Sequence, residues 1–351
     1  MNNRRGLCYV DDSMPGISRK RRGRYWQYFD ARGQRITARE EIERLNAIGM
    51  PPAYERCWFC PDPNGHIQAI GYDAKGRKQY RYHPDFRTQQ DSLKYERLAE
   101  FGRKLPKLRK RVEEDIKGNP TSYAAVIAAV IRLIDETHMR VGNEAYAKEN
   151  KSFGATTLRN RHARVGGGRV RISYVGKSGI KRTIIVNDRR LARIARRTQD
   201  LPGQHLFEFL DEDGQPHPVT SSEVNLYIKE AMGEDFTAKD FRTWGASVIA
   251  FEEMVKRARG SGRIRLKAVI APVAEALGNT PAISRKSYVH PALIEAVGDA
   301  AAIAETRLPR KSKYLSGAER GLIAFLDSLG SMQPSNRERA DERQNGRSRS
   351  A

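Results

Sequence analysis

Residues 121–138 read Thr-Ser-Tyr-Ala-Ala-Val-Ile-Ala-Ala-Val-Ile-Arg-Leu-Ile-Asp-Glu-Thr-His, and they contain the longest fully apolar run of the chain, 124–131. A membrane-spanning helix needs about 20 predominantly apolar residues, far more than this run supplies. The stretch therefore predicts an apolar helix inside a folded domain.

Helical patterns dominate the chain on both sides of this helix. They cover residues 88–117, 188–200, 220–232, 237–257, 263–277 and 291–305. Between them, residues 162–187 have strand patterns, with turns at Gly166-Gly167-Gly168 and Gly176-Lys177-Ser178-Gly179. We expect a mainly helical domain with a small embedded sheet over residues 86–330. Residues 331–351 are rich in Arg, Asn, Gln and Ser, and this composition predicts a disordered basic tail.

The first 85 residues have a different character. Residues 24–36 predict a β-hairpin with a turn at Asp30-Ala31-Arg32-Gly33, and residues 66–72 and 78–83 predict further short strands. Thr37-Ala38-Arg39-Glu40 has the capping-box pattern and predicts the start of a helix that ends near Gly49. The predicted fold class is therefore α+β, with a small antiparallel sheet domain over residues 1–85 preceding the helical domain.

The charge of the chain indicates its partner. Lysine and arginine number 64 against 42 acidic residues, which gives a net charge of +22 and a pI near 10.1. Such an excess is typical of nucleic-acid binding, although a merely soluble basic protein is the alternative. Membrane binding is not expected, because no basic amphipathic helix stands apart from the folded segments. Three cysteines cannot all pair and no signal peptide is visible, so we expect a cytoplasmic protein.

Several common catalytic signatures are missing from the sequence. There is no Gly-x-x-x-x-Gly-Lys-Ser/Thr loop for nucleotide hydrolysis and no carboxylate cluster typical of a two-metal nuclease. Cys57 and Cys60 form a single Cys-x-x-Cys without a second pair. A zinc site with His66 and His83 is the less favoured alternative to two incidental strand cysteines. We therefore expect neither a metal nor another cofactor.

One tyrosine lies among cations in Gly-Asn-Thr-Pro-Ala-Ile-Ser-Arg-Lys-Ser-Tyr-Val-His-Pro, residues 278–291. Cations near Tyr288 would favour its ionised, nucleophilic form and attract a phosphodiester. Three more basic residues occupy structured positions, namely Arg140 after the apolar helix, Lys177 at a predicted hairpin tip and Arg242 on a predicted helix. Taken alone, each is more typical of an ordinary helix-end, turn or surface residue.

Taken in order, five segments resemble the type IB DNA topoisomerases in their compact poxvirus and bacterial form. The segments are residues 76–83 (GRKQYRYH), 140–158 (RVGNEAYAKENKSFGATTL), 175–179 (VGKSG), 239–244 (KDFRTW) and 278–291. The resemblance runs from about residue 25 to 330. It implies that Arg140, Lys177, Arg242 and Tyr288 occupy the catalytic positions of that family, with Tyr288 as nucleophile and Lys177 as general acid.

The resemblance also implies an activity. Tyr288 would open one strand through a 3′-phosphotyrosyl intermediate, so that supercoils of either sign relax without ATP or a required metal. A monomer would close its two domains as a clamp around duplex DNA in the nucleoid. The residues expected to contact DNA are Gln79, Tyr80, Tyr82, Tyr146 and Lys239. Tyr80 and Tyr82 share one face of their strand, and core packing is the alternative for both.

Two positions leave questions open. The poxvirus pattern has a histidine where this chain has Asn279, whose amide can still donate a hydrogen bond to a phosphoryl oxygen but cannot transfer a proton. Lys181 and Arg182 lie near Lys177, so the general acid is either Lys177 or Lys181.

Two other functions compete with a topoisomerase. A tyrosine recombinase uses the same chemistry, but recombinases usually have a histidine where this chain has Lys239, and the β-rich N-terminal domain is also unlike theirs. A non-enzymatic nucleoid protein would explain the charge but not the ordered motifs.

Overall fold

The chain forms two compact units, and the boundary between them lies between Lys94 and Tyr95. The computed structural model describes residues 6–261, 263–306 and 308–332. The predicted boundary after residue 85 falls at the start of a helix, Pro84–Glu96, most of which belongs to the first unit. The last helix ends at Met332, so most of the predicted tail, residues 333–351, lies outside the described residues.

The first unit is an antiparallel five-stranded sheet with one helix against it. The strands are β1 (Ile17–Arg22), β2 (Tyr25–Phe29), β3 (Glu55–Phe59), β4 (Ile67–Tyr72) and β5 (Lys78–Tyr82), in the order β2-β1-β3-β4-β5. Helix α1 (Arg39–Ala47) contributes Leu45 to a small core that also contains Tyr28 and Phe59. Strand β5 forms one edge of this sheet.

The first unit differs from the local predictions in three ways. The predicted hairpin over residues 24–36 forms only in part: the Gly33 amide donates to the Asp30 carbonyl in its turn and Phe29 bridges to Arg35, but β2 pairs along its length with β1. Strand β1 was missed because its sequence, Ile-Ser-Arg-Lys-Arg-Arg, has too few apolar residues to show alternation. The Thr37 capping box does not form, since helix α1 begins at Arg39 and its N-cap residue Ala38 offers no side-chain hydrogen bond.

The second unit is mainly helical, as predicted, and its core surrounds the apolar helix. Ten residues of that helix are buried. After α1, the helices among the described residues are α2 (Pro84–Glu96), α3 (Leu98–Asp115), α4 (Tyr123–Thr137), α5 (Glu144–Asn150), α6 (Arg189–Gln199), α7 (Ser221–Met232), α8 (Asp240–Ser261), α9 (Leu266–Leu277), α10 (Pro281–Ser287), α11 (Pro291–Ala296), α12 (Ala300–Glu305) and α13 (Gly317–Met332). The chain is therefore α+β.

Some helix boundaries differ from the predicted ones. The single helix predicted over residues 88–117 is two helices, α2 and α3, and the one predicted over 291–305 is also two, α11 and α12. Helix α11 ends at Ala296, two residues before Gly298, and glycine has a poor helical preference. Helices α5, α10 and α13 were not predicted.

A three-stranded antiparallel sheet lies within the second unit. It consists of β6 (Ala163–Gly166), β7 (Arg169–Val175) and β8 (Lys181–Val186), and a separate two-stranded sheet pairs β9 (Glu208–Leu210) with β10 (Pro216–Pro218). The β7–β8 turn is closed by the Gly176 amide, which donates to the Ile180 carbonyl at 2.8 Å. Lys177 lies in this turn, so the predicted hairpin is confirmed.

Two leucine-to-alanine substitutions test where the core of the second unit lies. Leu108 on α3 is 0% exposed and Leu226 on α7 is 52% exposed. We expect Leu108→Ala to lower the free energy of unfolding by about 2–5 kcal/mol, because it leaves a cavity. Leu226→Ala should change it by about 0.5 kcal/mol or less. Denaturant unfolding of the full chain measures both, and equal losses would contradict this placement of the core.

Candidate active site

Arg242 is the buried centre of the site. It lies in the first turn of α8, is 3% exposed, and donates through its Nη atoms to the His138 carbonyl and, at 3.2 Å, to the Leu277 carbonyl. These carbonyls lie at the C-terminal ends of α4 and α9, where the helix dipole places partial negative charge. Burial and the neighbouring charge of Arg140 lower the pKa of Arg242 to about 10, so it remains a cation at neutral pH.

Tyr288 directly follows α10 and is half-buried beneath Arg242. The guanidinium carbon of Arg242 lies 4.9 Å from the centre of the Tyr288 ring. Burial would raise the pKa of Tyr288, but the charges of Arg242 and Arg140 outweigh it, and the pKa lies below the usual value of tyrosine. The surroundings therefore favour the phenolate.

A buried serine fixes the backbone around Tyr288. The hydroxyl of Ser247, on α8, donates to the Tyr288 carbonyl at 3.4 Å and accepts from the His290 amide at 3.1 Å. The same helix thus positions both the tyrosine segment and Arg242. The Tyr288 amide also donates to the Ser284 carbonyl at 3.1 Å, which closes the end of α10.

Arg140 and Asn279 contact each other. An Nη atom of Arg140 donates to Asn279 Oδ1 at 2.9 Å. A guanidinium can only donate, so this contact identifies the oxygen of the amide. The other end of the amide, Asn279 Nδ2, is buried and has no hydrogen-bond partner among the described residues. An unpaired buried donor is costly, and a bound acceptor would satisfy it.

The backbone at Arg140 is held by a tight loop. The Ala155 amide donates to the Arg140 carbonyl at 2.8 Å, and the Thr156 amide donates to the Val141 carbonyl at 2.7 Å. A Cβ at Gly154 would lie 2.5 Å from the Arg140 carbonyl oxygen, so only glycine fits there. Gly142 has φ +107°, a conformation that favours glycine.

Four of the five catalytic candidates line one cavity of about 430 Å³, namely Arg140, Lys177, Arg242 and Tyr288, and Asn279 is not among its lining residues. Lys177 lies on its wall, is exposed, and makes no hydrogen bond or ion pair with the described residues. Lys181 is not among the lining residues. Two predicted DNA contacts also line this cavity. These contacts are Tyr146 and Lys239.

The three DNA contacts predicted on the first unit do not all lie on the same face of β5. Tyr80 and Tyr82 are 42% and 46% exposed, and their rings stack at 5.8 Å on one face of β5. Gln79 alternates to the opposite face and donates to Asp73 Oδ2 at 3.2 Å. The two tyrosines form a common surface, and Gln79 is not part of it.

Sequence reasoning missed several residues around the cavity. Arg182, on β8, donates to the Ala276 carbonyl at 2.7 Å. Together with Tyr174 it lines a recess that also contacts Arg140 and Lys177. Burial raises the pKa of Tyr174, against the opposing charges of three neighbouring arginines. Arg182 drew notice in the sequence only as a neighbour of Lys177, and Ser247 showed no signal there.

Neither a group of metal-ligating side chains nor a membrane-spanning helix is found among the described residues. No group of three or more His, Cys, Asp or Glu side chains among those residues could hold a metal ion. Cys57 Sγ instead donates to the Tyr54 carbonyl at 3.3 Å. Likewise, no helix in residues 6–261, 263–306 and 308–332 is long and apolar enough to cross a membrane.

Comparison with known proteins supplies an independent line of evidence. The family profile of the eukaryotic DNA topoisomerase I catalytic core matches residues 83–315, and that of the bacterial DNA topoisomerase IB N-terminal domain matches residues 25–73. DNA topoisomerase 1B of Acanthamoeba polyphaga mimivirus is 34% identical over 288 residues, which cover 79% of this chain and 85% of that protein. DNA topoisomerase 1B of vaccinia virus (strain Copenhagen) is 25% identical and covers 70% of this chain and 76% of that protein.

One solved structure shows a distant likeness. XerH site-specific recombinase bound to its difH substrate has a TM-score of 0.37 and 19% identity, with 57% of this chain and 53% of that chain covered. A likeness this low carries no argument for recombination. The match to the catalytic-core profile covers most of this chain, and the mimivirus relative shares a third of its aligned residues. On that evidence, the chain belongs to the type IB DNA topoisomerases.

Proposed function

We propose that this enzyme relaxes supercoiled duplex DNA by opening and resealing one strand at Tyr288. The observation that carries the assignment of the site is the position of Tyr288, whose ring lies beneath Arg242 in a cavity also lined by Arg140 and Lys177. Such a set offers a nucleophile, two fixed cations and a proton donor. These are the groups that transesterification of a phosphodiester requires.

The reaction exchanges one phosphoester for another. Tyr288 Oη attacks the phosphorus, so that an Oη–P bond forms and the P–O5′ bond breaks, leaving a 3′-phosphotyrosyl link. The phenol proton leaves to solvent before or during attack. Lys177 Nζ donates a proton to the departing 5′ oxygen, which would otherwise leave as a strongly basic alkoxide. Resealing is the reverse step, in which the 5′-hydroxyl attacks the phosphotyrosyl phosphorus.

Two arginines stabilise the transition state in this proposal. Negative charge accumulates on the non-bridging oxygens, and the planar guanidinium groups of Arg140 and Arg242 can each bind one through paired N–H donors. Asn279 Nδ2, unpaired among the described residues, adds a neutral donor. Each such donor is typically worth about 10²–10³ in rate. The ester bond retains the energy of the broken strand, so resealing needs no ATP.

We infer that duplex DNA is the substrate and that the protein acts as a monomer in the cytoplasm. The charge of +22 supplies the attraction for the phosphate backbone. Two observations support the proposed DNA contacts: Tyr146 and Lys239 line the cavity, and Tyr80 and Tyr82 have exposed rings on the first unit. Gln79 remains a proposed DNA contact, although its side chain lies on the opposite face of β5 from the two tyrosines and donates to Asp73.

A relaxation assay tests the proposed function. The full chain should relax negatively and positively supercoiled plasmid in EDTA without ATP. Tyr288→Phe should bind DNA but neither relax it nor form a covalent complex on a nicked duplex, because phenylalanine lacks the attacking oxygen. Tyr123→Phe, a matched change at a half-exposed ring, should retain activity. Strand exchange between specific sites without general relaxation would favour the recombinase alternative, and covalent complex from Tyr288→Phe would exclude Tyr288 as nucleophile.

The pKa of Tyr288 gives a second prediction. Because Arg242 and Arg140 lower this pKa, the phenolate should form at a lower pH than in an ordinary tyrosine, whose pKa is about 10. The difference in ultraviolet absorbance between the wild type and Tyr288→Phe during a pH titration reports this group. In an Arg140→Ala background the same difference should appear at higher pH, since one stabilising cation is gone. The control is Arg171→Ala, at an exposed arginine of β7, which should leave the titration unchanged. An unshifted or raised pKa in the wild type would contradict the described electrostatics.

A further inference from the structure

Arg182 links two parts of the active site that are far apart in the sequence. It lies on β8, directly opposite Tyr174 of β7, in the hairpin whose turn carries Lys177. Its side chain leaves the sheet and donates through an Nη atom to the Ala276 carbonyl at 2.7 Å, near the end of α9. A hydrogen bond from a charged group to a helix C-terminal carbonyl is among the stronger ones in proteins.

The end of α9 is a meeting point of three arginines. Arg182 binds the Ala276 carbonyl, and Arg242 binds the next carbonyl, that of Leu277. Asn279 follows after one glycine and accepts from Arg140. A shift of this short segment would therefore move the partners of all three guanidinium groups together.

The packing of Arg182 against this segment is close. Gly278 has φ +60°, and a Cβ built on it would lie 2.9 Å from Arg182 Cδ and Nη1. The arginine stem thus lies against the bare backbone of the helix cap. Arg182 also lines a small recess with Arg140, Tyr174 and Lys177, so it adjoins the cavity without being one of the side chains that line it.

Lys177 needs such an anchor. A general acid must come within about 2.6–3.2 Å of the oxygen that it protonates. The Lys177 side chain is exposed and makes no hydrogen bond or ion pair with the described residues, so its reach is set by where the hairpin backbone lies. The Arg182–Ala276 contact joins that hairpin to the segment that carries Asn279.

We propose that Arg182 is a positioning residue for Lys177: it fastens the β7–β8 hairpin to the end of α9 and thereby holds the lysine ammonium at the departing 5′ oxygen. The inference rests on the proposed function, in which Lys177 protonates that oxygen. Arg182 itself does not touch the substrate in this account. Its loss should therefore resemble the loss of Lys177, rather than the loss of Arg140 or Arg242.

A substrate that needs no proton separates these roles. In a duplex with sulfur in place of the bridging 5′ oxygen, the leaving group is a thiolate, whose conjugate acid has a pKa near 8.5 in cysteine and needs little protonation. We expect Arg182→Ala to slow single-turnover cleavage of the oxygen substrate by roughly 10²-fold, the lower range for a lost general acid. On the sulfur substrate its rate should approach that of the wild type, as should that of Lys177→Ala.

Further variants keep the test decisive. Arg182→Lys keeps a cationic hydrogen-bond donor at this position and should recover part of the lost rate on the oxygen substrate. This variant also provides the test if Arg182→Ala fails to fold. Arg171→Ala, on the neighbouring strand, should cleave both substrates at wild-type rates. Melting temperature and DNA affinity of each variant exclude a general loss of structure.

The outcomes separate a failure of the positioning role of Arg182 from a failure of the general-acid role of Lys177. Equal slowing of Arg182→Ala on the oxygen and sulfur substrates would overturn the positioning role, because the defect would then lie outside proton delivery. A wild-type rate for Arg182→Ala on the oxygen substrate would overturn it too. If Lys177→Ala were not rescued by sulfur, the proposed role of Lys177 itself would fail, whatever Arg182→Ala showed.

Discussion

Burial of one charged guanidinium constrains the whole site. Removing a cation from water costs several kcal/mol unless polar groups surround it, and Arg242 is almost completely buried. Its surroundings supply two main-chain carbonyls, those of His138 and Leu277. Each belongs to a helix end at which the chain turns through a left-handed residue, His138 with φ 53° and Gly278 with φ 60°. The ends of α4 and α9 must therefore meet at α8.

The other site residues follow from that meeting point. Arg140 comes two residues after His138, and Asn279 comes two residues after Leu277, so the contact between them follows once both carbonyls bind Arg242. Helix α8 also carries Ser247, which holds the backbone of Tyr288 beneath the guanidinium. A cation over the ring then stabilises the phenolate. The arginine that is costly to bury is thus also a group that lowers the pKa of Tyr288.

Parts of the fold and of the site could be predicted from the sequence. Helix α4 and the β7–β8 hairpin were predicted because an apolar run and paired glycine turns are local signals. Strand β1 was missed because its basic residues hide alternation, and the Thr37 capping box was wrong because a four-residue pattern does not fix where a helix begins. Arg140, Lys177, Arg242 and Tyr288 were predicted because the motifs that contain them occur in the order found in type IB topoisomerases. None of the four residues was a strong signal taken alone.

The missed residues depend on tertiary contacts. Arg182 and Ser247 act through main-chain atoms of Ala276, Tyr288 and His290. Every residue except proline has both a main-chain carbonyl and a main-chain N–H group. The sequence therefore does not show which of them a side chain will bind. The position of Gln79 on β5 is a related case. Strand alternation separates Gln79 from Tyr80 and Tyr82, but it does not indicate which face of the strand would contact DNA.

The most direct test of the account is to locate the covalent bond. Wild-type enzyme trapped on a nicked duplex, digested with trypsin and analysed by tandem mass spectrometry, should show a nucleotide remnant on the peptide of residues 287–307, attached to Tyr288 through a 3′ phosphate. Attachment to another tyrosine, such as Tyr174 or Tyr146, or through a 5′ phosphate, would contradict the central claim that Tyr288 beneath Arg242 is the nucleophile.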